Sequence, residues 1–224
     1  MAIAYDASSG GTALPDTSVT WSHTCTGSDL ILVVGISQAG NYEDKVTGVT
    51  YNGVAMTRLA TDGYVFTSGA YNRAVYLYYL VGPATGAHNI VVSSSESLYF
   101  RCVAVSYTGI AQTGQPDGSD SGQVAEGTAI TTGVTTTADN CWNVSAIMGY
   151  QCSGGTGTTE RVETNNYISM GDSNGAKTPA GLYEMTWNSV TQWIGAIQIS
   201  VKPPTPVGGA VRAGTIRLVG VGHL

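Results

Sequence analysis

No stretch of this chain places apolar residues at i, i+3, i+4 and i+7 over the length of a helix. Short runs of alternating apolar and polar residues, cut by turn residues, fill it instead. That pattern restricts the chain to all-β architectures, because a parallel α/β sheet needs crossover helices and no segment can supply them. The clearest unit is Val46 to Leu59, in which Asn52-Gly53 separates two β-rich arms. A two-residue type I′ hairpin needs positive φ at both central residues, and Asn-Gly provides it. Leu30 to Ile36 is apolar on both faces and predicts a central strand.

Further strands are expected at Thr17 to Cys25, Ala70 to Val81, His88 to Ser94 and Tyr99 to Tyr107. Others are expected at Thr128 to Thr136, Asn140 to Tyr150, Thr158 to Thr164, Tyr167 to Gly171, Leu182 to Trp187 and Gln192 to Val201. Residues 111–127 carry Gly, Gln, Asp, Ser and Pro with few apolar residues and read as a long surface loop. Many short strands in about 200 residues imply one antiparallel β-sandwich, of jelly-roll type, over residues 1–202. Pro203-Pro204-Thr205-Pro206 then reads as a stiff linker. Residues 203–224 form an expected extended tail, with Thr215 to Val219 as a strand lacking a partner of its own. Such a segment suits strand swapping or docking on a neighbouring subunit.

Composition narrows the function classes. Charged residues make up 11% of the chain, and nine Lys and Arg stand against fifteen Asp and Glu. Basic residues this sparse form no phosphate-binding patch, so no nucleic-acid partner is expected. The longest apolar run is far short of the roughly 20 residues of a membrane span, and no membrane partner is expected. The first residues lack the basic and apolar regions of a secretory signal.

Cys25, Cys102, Cys141 and Cys152 show no C-x-x-C spacing, and His23, His88 and His223 are far apart in sequence. No zinc site is assigned, and free buried thiols are expected. Gly35-Ile36-Ser37-Gln38-Ala39 nearly matches the serine-hydrolase elbow, but it fails at Ala39 and no helix follows. The acid pairs Glu43/Asp44 and Asp117/Asp120 lie in polar loops, where solvated carboxylates are usual. Asp117-Gly118-Ser119-Asp120 lacks the acid spacing and closing Glu of a calcium loop. Asn143-Val144-Ser145 is a sequon placed mid-strand. No catalytic, metal or cofactor-binding residue is therefore assigned. Trp142 is expected in the core, whereas Tyr64 and Phe66, between Gly63 and Gly69, are expected on a loop suited to contact with sugars or partners.

The order of motifs carries a resemblance. T-W-S-H-T at Thr20 to Thr24 precedes L-I-L-V-V-G-I-S at Leu30 to Ser37 and V-T-Y-N-G-V-A-M-T at Val49 to Thr57. Y-L-Y-Y-L-V-G-P-A-T-G-A-H-N-I-V-V follows at Tyr76 to Val92, then A-V-S-Y-T-G-I-A-Q-T at Ala104 to Thr113 and W-I-G-A-I-Q-I-S-V-K-P at Trp193 to Pro203. Over residues 17–203 this order resembles a jelly-roll-like β-sandwich module of bacterial secreted and surface proteins and of phage virion proteins. The resemblance implies no catalytic residues. It implies a virion structural role, as a capsid-surface decoration or fibre component. The partners would be other virion subunits and copies of this chain, with a trimer as the expected oligomer. The alternative is a secreted adhesin or carbohydrate-binding module at the cell surface.

Overall fold

A computed structural model describes residues 2–39, 44–59, 64–68, 71–124, 127–190 and 194–205; for 64–68, 71–73 and 123–124 it describes the backbone alone. All regular structure among the described residues is antiparallel β, in three sheets, as the alternating pattern requires.

The first sheet contains β1 (Ala4–Cys25), β2 (Ile31–Ala39), β3 (Val46–Tyr51), β4 (Val54–Ala55), β5 (Thr57–Arg58), β6 (Tyr64–Ser68), β7 (Tyr71–Val81) and β8 (Gly86–Thr108). β1 and β8 pair along almost their whole length, from Ala4 opposite Thr108 to Cys25 opposite Gly86. On its other side β8 pairs twice: with β2 from Tyr99 to Tyr107, and with β3 from Ile90 to Ser94. β7 pairs with β2, β5 with β7, and β4 with β3. Only Met56 separates β4 from β5, so the path of pairing curls back on itself. The sheet becomes a nearly closed barrel whose gap lies between the first and second halves of β1. Asn52 and Gly53 have φ of 49° and 76°, the positive values expected of the hairpin that turns β3 into β4.

The second sheet has the order β13 (Thr159–Thr164), β14 (Ile168–Asp172), β11 (Trp142–Met148), β16 (Ile194–Val201) and β9 (Gly118–Val124). The third comprises β10 (Ala129–Thr135), β15 (Leu182–Asn188) and β12 (Ser153–Gly154).

Side-chain parity distributes these strands over three cores. On β2, Leu32, Val34 and Ile36 point into the barrel, where they meet Tyr76, Phe100 and Trp21. Ile31 and Val33 point the other way, onto Val144, Met170 and Ile197 of the second sheet. Its apolar residues from Ile31 to Ile36 are fully buried, each contributing about 1.5–3 kcal/mol relative to exposure. This is the central strand that its unbroken apolar run predicts. Ile147, Ile194 and Ala196 face the third sheet, packing on Ile130 and Trp187. The expected antiparallel sandwich is thus three layers deep.

Several elements differ from expectation. β1 begins at Ala4 rather than Thr17. The two strands expected at 88–94 and 99–107 are one 23-residue strand. The loop expected over 111–127 contains β9, which pairs with β16 from Gly118 to Val124. In each case the partner strand supplies the order that the local sequence does not encode. Residues 206–224, including the expected strand at Thr215 to Val219, lie outside the described residues.

Candidate functional site

The densest constellation of chemistry-bearing side chains lies at the gap of the barrel. β1 carries Val19, Trp21, His23 and Cys25 on its inward face, and β8 carries Ser106 on its own. Bulges between Ala13 and Ser18 fold the β1–β8 ribbon over, bringing the first half of β1 against the second. Gly11 permits this contact, because a Cβ there would stand 2.6 Å from the Trp21 ring.

Five side chains form one hydrogen-bonded chain. Trp21 Nε1 is 3.0 Å from Ser9 Oγ, and Ser9 Oγ is 2.8 Å from His23 Nδ1. His23 Nε2 is 3.1 Å from Ser106 Oγ, which donates to Asp6 Oδ2 at 2.7 Å. Asp6 also accepts from the amide and hydroxyl of Thr26. Donor arithmetic fixes the proton on His23 Nε2. The indole can only donate and the carboxylate only accept. Ser106 spends its proton on Asp6, so His23 Nε2 must carry a hydrogen and donate to Ser106. Ser9 accepts from Trp21, and with the imidazole neutral it donates to His23 Nδ1. Burial keeps the ring neutral: His23 is 1% exposed, and desolvation pulls its pKa down to about 4 against the opposing attraction of Asp6.

The residue types are those of a nucleophile–base–acid triad, but the order is not. In a triad the carboxylate orients the imidazole and the imidazole takes the serine proton. Here the carboxylate holds the serine, whose proton is committed away from the imidazole. This arrangement can close a seam, and it offers no activated nucleophile.

A second buried network ties the first two sheets together. Asp172 is fully buried on β14. It receives Arg161 Nε on Oδ2 at 2.8 Å and Arg161 Nη2 on Oδ1 at 2.9 Å. Tyr107 of β8 donates to Oδ2 at 3.0 Å, and the Asn174 amide to Oδ1 at 2.8 Å. All four acceptor positions of the carboxylate are filled. Hydrogen bonding to Asp172 raises the Arg161 pKa, and its guanidinium also covers the Tyr5 ring at 4.7 Å.

The residues singled out in the sequence are dispersed. Ser37 sits buried within β2. Gly35 before it answers to packing, since a Cβ would approach Met170 Cε at 2.9 Å and Ala146 Cβ at 3.0 Å. Glu43 lies outside the described residues, and Asp44 pairs with Arg58 at 2.5 Å. Asp117 binds Thr137 through its amide at 2.6 Å and its hydroxyl at 2.5 Å, and Asp120 accepts from Gly133 N at 2.8 Å. Both acids stitch β9 to the third sheet or to the loop after it. Among the described residues, no three His, Cys, Asp or Glu side chains gather as a metal site. Asn143 is wholly buried, so its sequon is out of reach.

All four cysteines are buried free thiols. Trp142 packs against the core between the first two sheets and meets Tyr107 edge-on at 6.0 Å. Trp187 is fully buried, donating to Ser145 Oγ at 3.0 Å, while Trp193 lies outside the described residues. Tyr64 and Phe66, expected on a loop, lie in β6, and their side chains are outside the description.

Among the described residues β1 pairs through its backbone only with β8; its other edge, from Ser18 to Cys25, faces the first half of the same strand across the gap, where Trp21 and His23 reach Ser9. Comparison with protein-family models gave no match, and a search of curated protein sequences found no relative.

Proposed function

We propose that this protein is a structural subunit of a phage virion, a capsid-surface decoration or fibre component that docks on other virion subunits. The observation that carries the reading is a body whose regular structure, among the described residues, is entirely antiparallel sheet in three packed layers. The buried acids, His23 and the thiols are engaged in internal contacts, which suits a part whose work is to hold shape. Closed symmetry is the usual outcome when such subunits self-associate, and a trimer is the expected state.

Immunogold electron microscopy of the source culture, with antibody to residues 1–202, tests the proposal. Gold on virus-like particles supports it, and the position of the gold separates capsid from tail. Gold on cell envelopes alone overturns it in favour of a secreted adhesin.

A further inference from the structure

We propose that the Asn52-Gly53 turn is a site of spontaneous hydrolytic deamidation, and that the chain's second Asn-Gly step, Asn174-Gly175, is protected from the same reaction by the Arg161–Asp172 network. The inference is independent of the assembly reading.

The chemistry is intramolecular. The backbone nitrogen of the following residue attacks the Asn side-chain Cγ, and a C–N bond forms. The side-chain nitrogen leaves as ammonia, taking the proton lost from the attacking nitrogen, and a five-membered succinimide remains. Water then adds to either ring carbonyl and opens the ring to Asp or isoaspartate. Water is the only co-reactant. Of the chain's asparagines, only Asn52 and Asn174 precede Gly. A side chain on the following residue crowds the attacking nitrogen and restricts its rotation, and Gly removes both obstacles.

Both asparagines have positive φ, 49° for Asn52 and 46° for Asn174. In this left-handed region ψ is about +47°, which turns the next nitrogen away from the side chain. Ring closure at either step therefore begins with rotation of the following peptide plane. What holds that plane and the side chain decides the rate.

At Asn52 little holds them. Asn52 and Gly53 are both exposed, and a Cβ on Gly53 would meet nothing within 4 Å. The Asn52 backbone amide donates to Asn89 O at 3.0 Å, but among the described residues its side chain has no hydrogen-bond partner. The arm after the turn, β4, is two residues long, and Val54 is 53% exposed. An arm this short opens locally at low cost.

At Asn174 the same atoms are tied down. Its Oδ1 accepts from Arg161 Nη2 at 2.7 Å, and its backbone amide donates to Asp172 Oδ1 at 2.8 Å. Ser173 Oγ donates to Gly175 O at 3.0 Å. The fully buried Asp172 anchors the guanidinium in turn. These contacts must loosen before the ring closes, and one hydrogen bond to a charged group slows such a step by about tenfold or more.

The consequence falls on the wall of the barrel. Asp at position 52 keeps the turn, since Asp-Gly also takes type I′ geometry. Isoaspartate routes the backbone through the side chain and adds a carbon to a two-residue loop. The pairs Thr50–Ala55 and Tyr51–Val54 then lose their register. β4 runs through Met56 into β5 on β7, so the loosening reaches the join between β3 and β7.

The test follows the full chain over time in mildly alkaline buffer, with and without denaturant. Peptide mapping by mass spectrometry reads the conversion of amide to acid at each step, and electron-transfer fragmentation separates isoaspartate from Asp. In denaturant the two steps should react at similar rates, which sets the intrinsic reference. In the folded chain Asn52 should react about tenfold faster than Asn174 or more. Asn174 reacting as fast as Asn52 overturns the proposal. So does a folded chain in which neither step reacts while both are converted in denaturant. Arg161→Met, checked for folding by circular dichroism, should release Asn174, and continued protection in that folded variant would remove Arg161 from the account. If the variant does not fold, the ratio of native to denatured rates in the parent still decides. The isoaspartate form, separated by anion exchange on its added charge, should exchange its amides at residues 54–58 faster than the parent. Unchanged exchange there would overturn the effect on the wall.

Discussion

Ser9 and His23 lie fourteen residues apart on a single strand, yet their side chains meet at 2.8 Å. An extended strand would separate them by more than 40 Å. The contact exists because β1 folds over at its central bulges, so that one strand forms both borders of the barrel gap. Most barrels close by a ladder of backbone hydrogen bonds. This one closes its last interval with side chains.

Gly11 marks the tightest point of that seam. Gly11→Ala would drive a methyl group into the Trp21 ring, which is held by its bond to Ser9. A loss of about 2–3 kcal/mol is expected from such overpacking. Gly48 is the control, since a Cβ there meets nothing within 4 Å. Gly48→Ala should stay within about 0.5 kcal/mol of the parent. Urea unfolding followed by tryptophan fluorescence measures both.

His23 makes stability depend on pH in a defined window. Its folded pKa of about 4 lies below the ordinary value of 6.5. Between these values the unfolded chain binds a proton that the folded chain refuses, so stability rises with pH. The contribution is complete above about pH 6.5. Acidification from there to about pH 4 should cost roughly 3 kcal/mol through this residue. His23→Gln should remove this component of the slope. Unfolding curves of both proteins at pH 7, 5.5 and 4.5 supply the comparison, and parallel slopes would refute the assignment.

Asp172 joins the first sheet to the second through Tyr107 and Arg161. Asp172→Asn leaves the Arg161 guanidinium without its carboxylate in a mostly buried site and should cost about 3–5 kcal/mol. Tyr107→Phe removes one of four hydrogen bonds to the carboxylate and should cost about 1–2 kcal/mol. A double-mutant cycle on these two positions should give a coupling above about 0.5 kcal/mol. Additive losses would show that the contact does not join the sheets energetically.

The four thiols should be inert in the folded protein. Burial raises the pKa of each, to about 11 for Cys141 and about 12 for Cys152, with Cys25 and Cys102 also raised. The thiolate is the reactive form and is scarce at pH 8 under these conditions. A thiol reagent should titrate four groups in denaturant and react at least a hundredfold more slowly in its absence. Rapid labelling of one native cysteine would contradict its burial.

Alternation of apolar and polar residues was enough to determine the all-β class, the Asn52-Gly53 turn and the central place of Leu30 to Ile36. Each rests on a local rule: a period of two, a positive-φ pair, or a run apolar on both faces. The inward parity of Val19, Trp21, His23 and Cys25 was also visible in T-W-S-H-T and is the signal that could have found His23. Its partners were not visible. Asp6 and Ser9 sit in a Gly- and Ser-rich stretch without periodicity, and Ser106 lies eighty-three residues beyond His23. The first half of β1 and the whole of β9 are strands because β8 and β16 offer them backbone hydrogen bonds. The meeting of Asp6, Ser9, His23 and Ser106 was decided by tertiary structure alone. A bend in one ribbon brings distant residues together, and local sequence encodes a strand's faces far better than the place where it turns over.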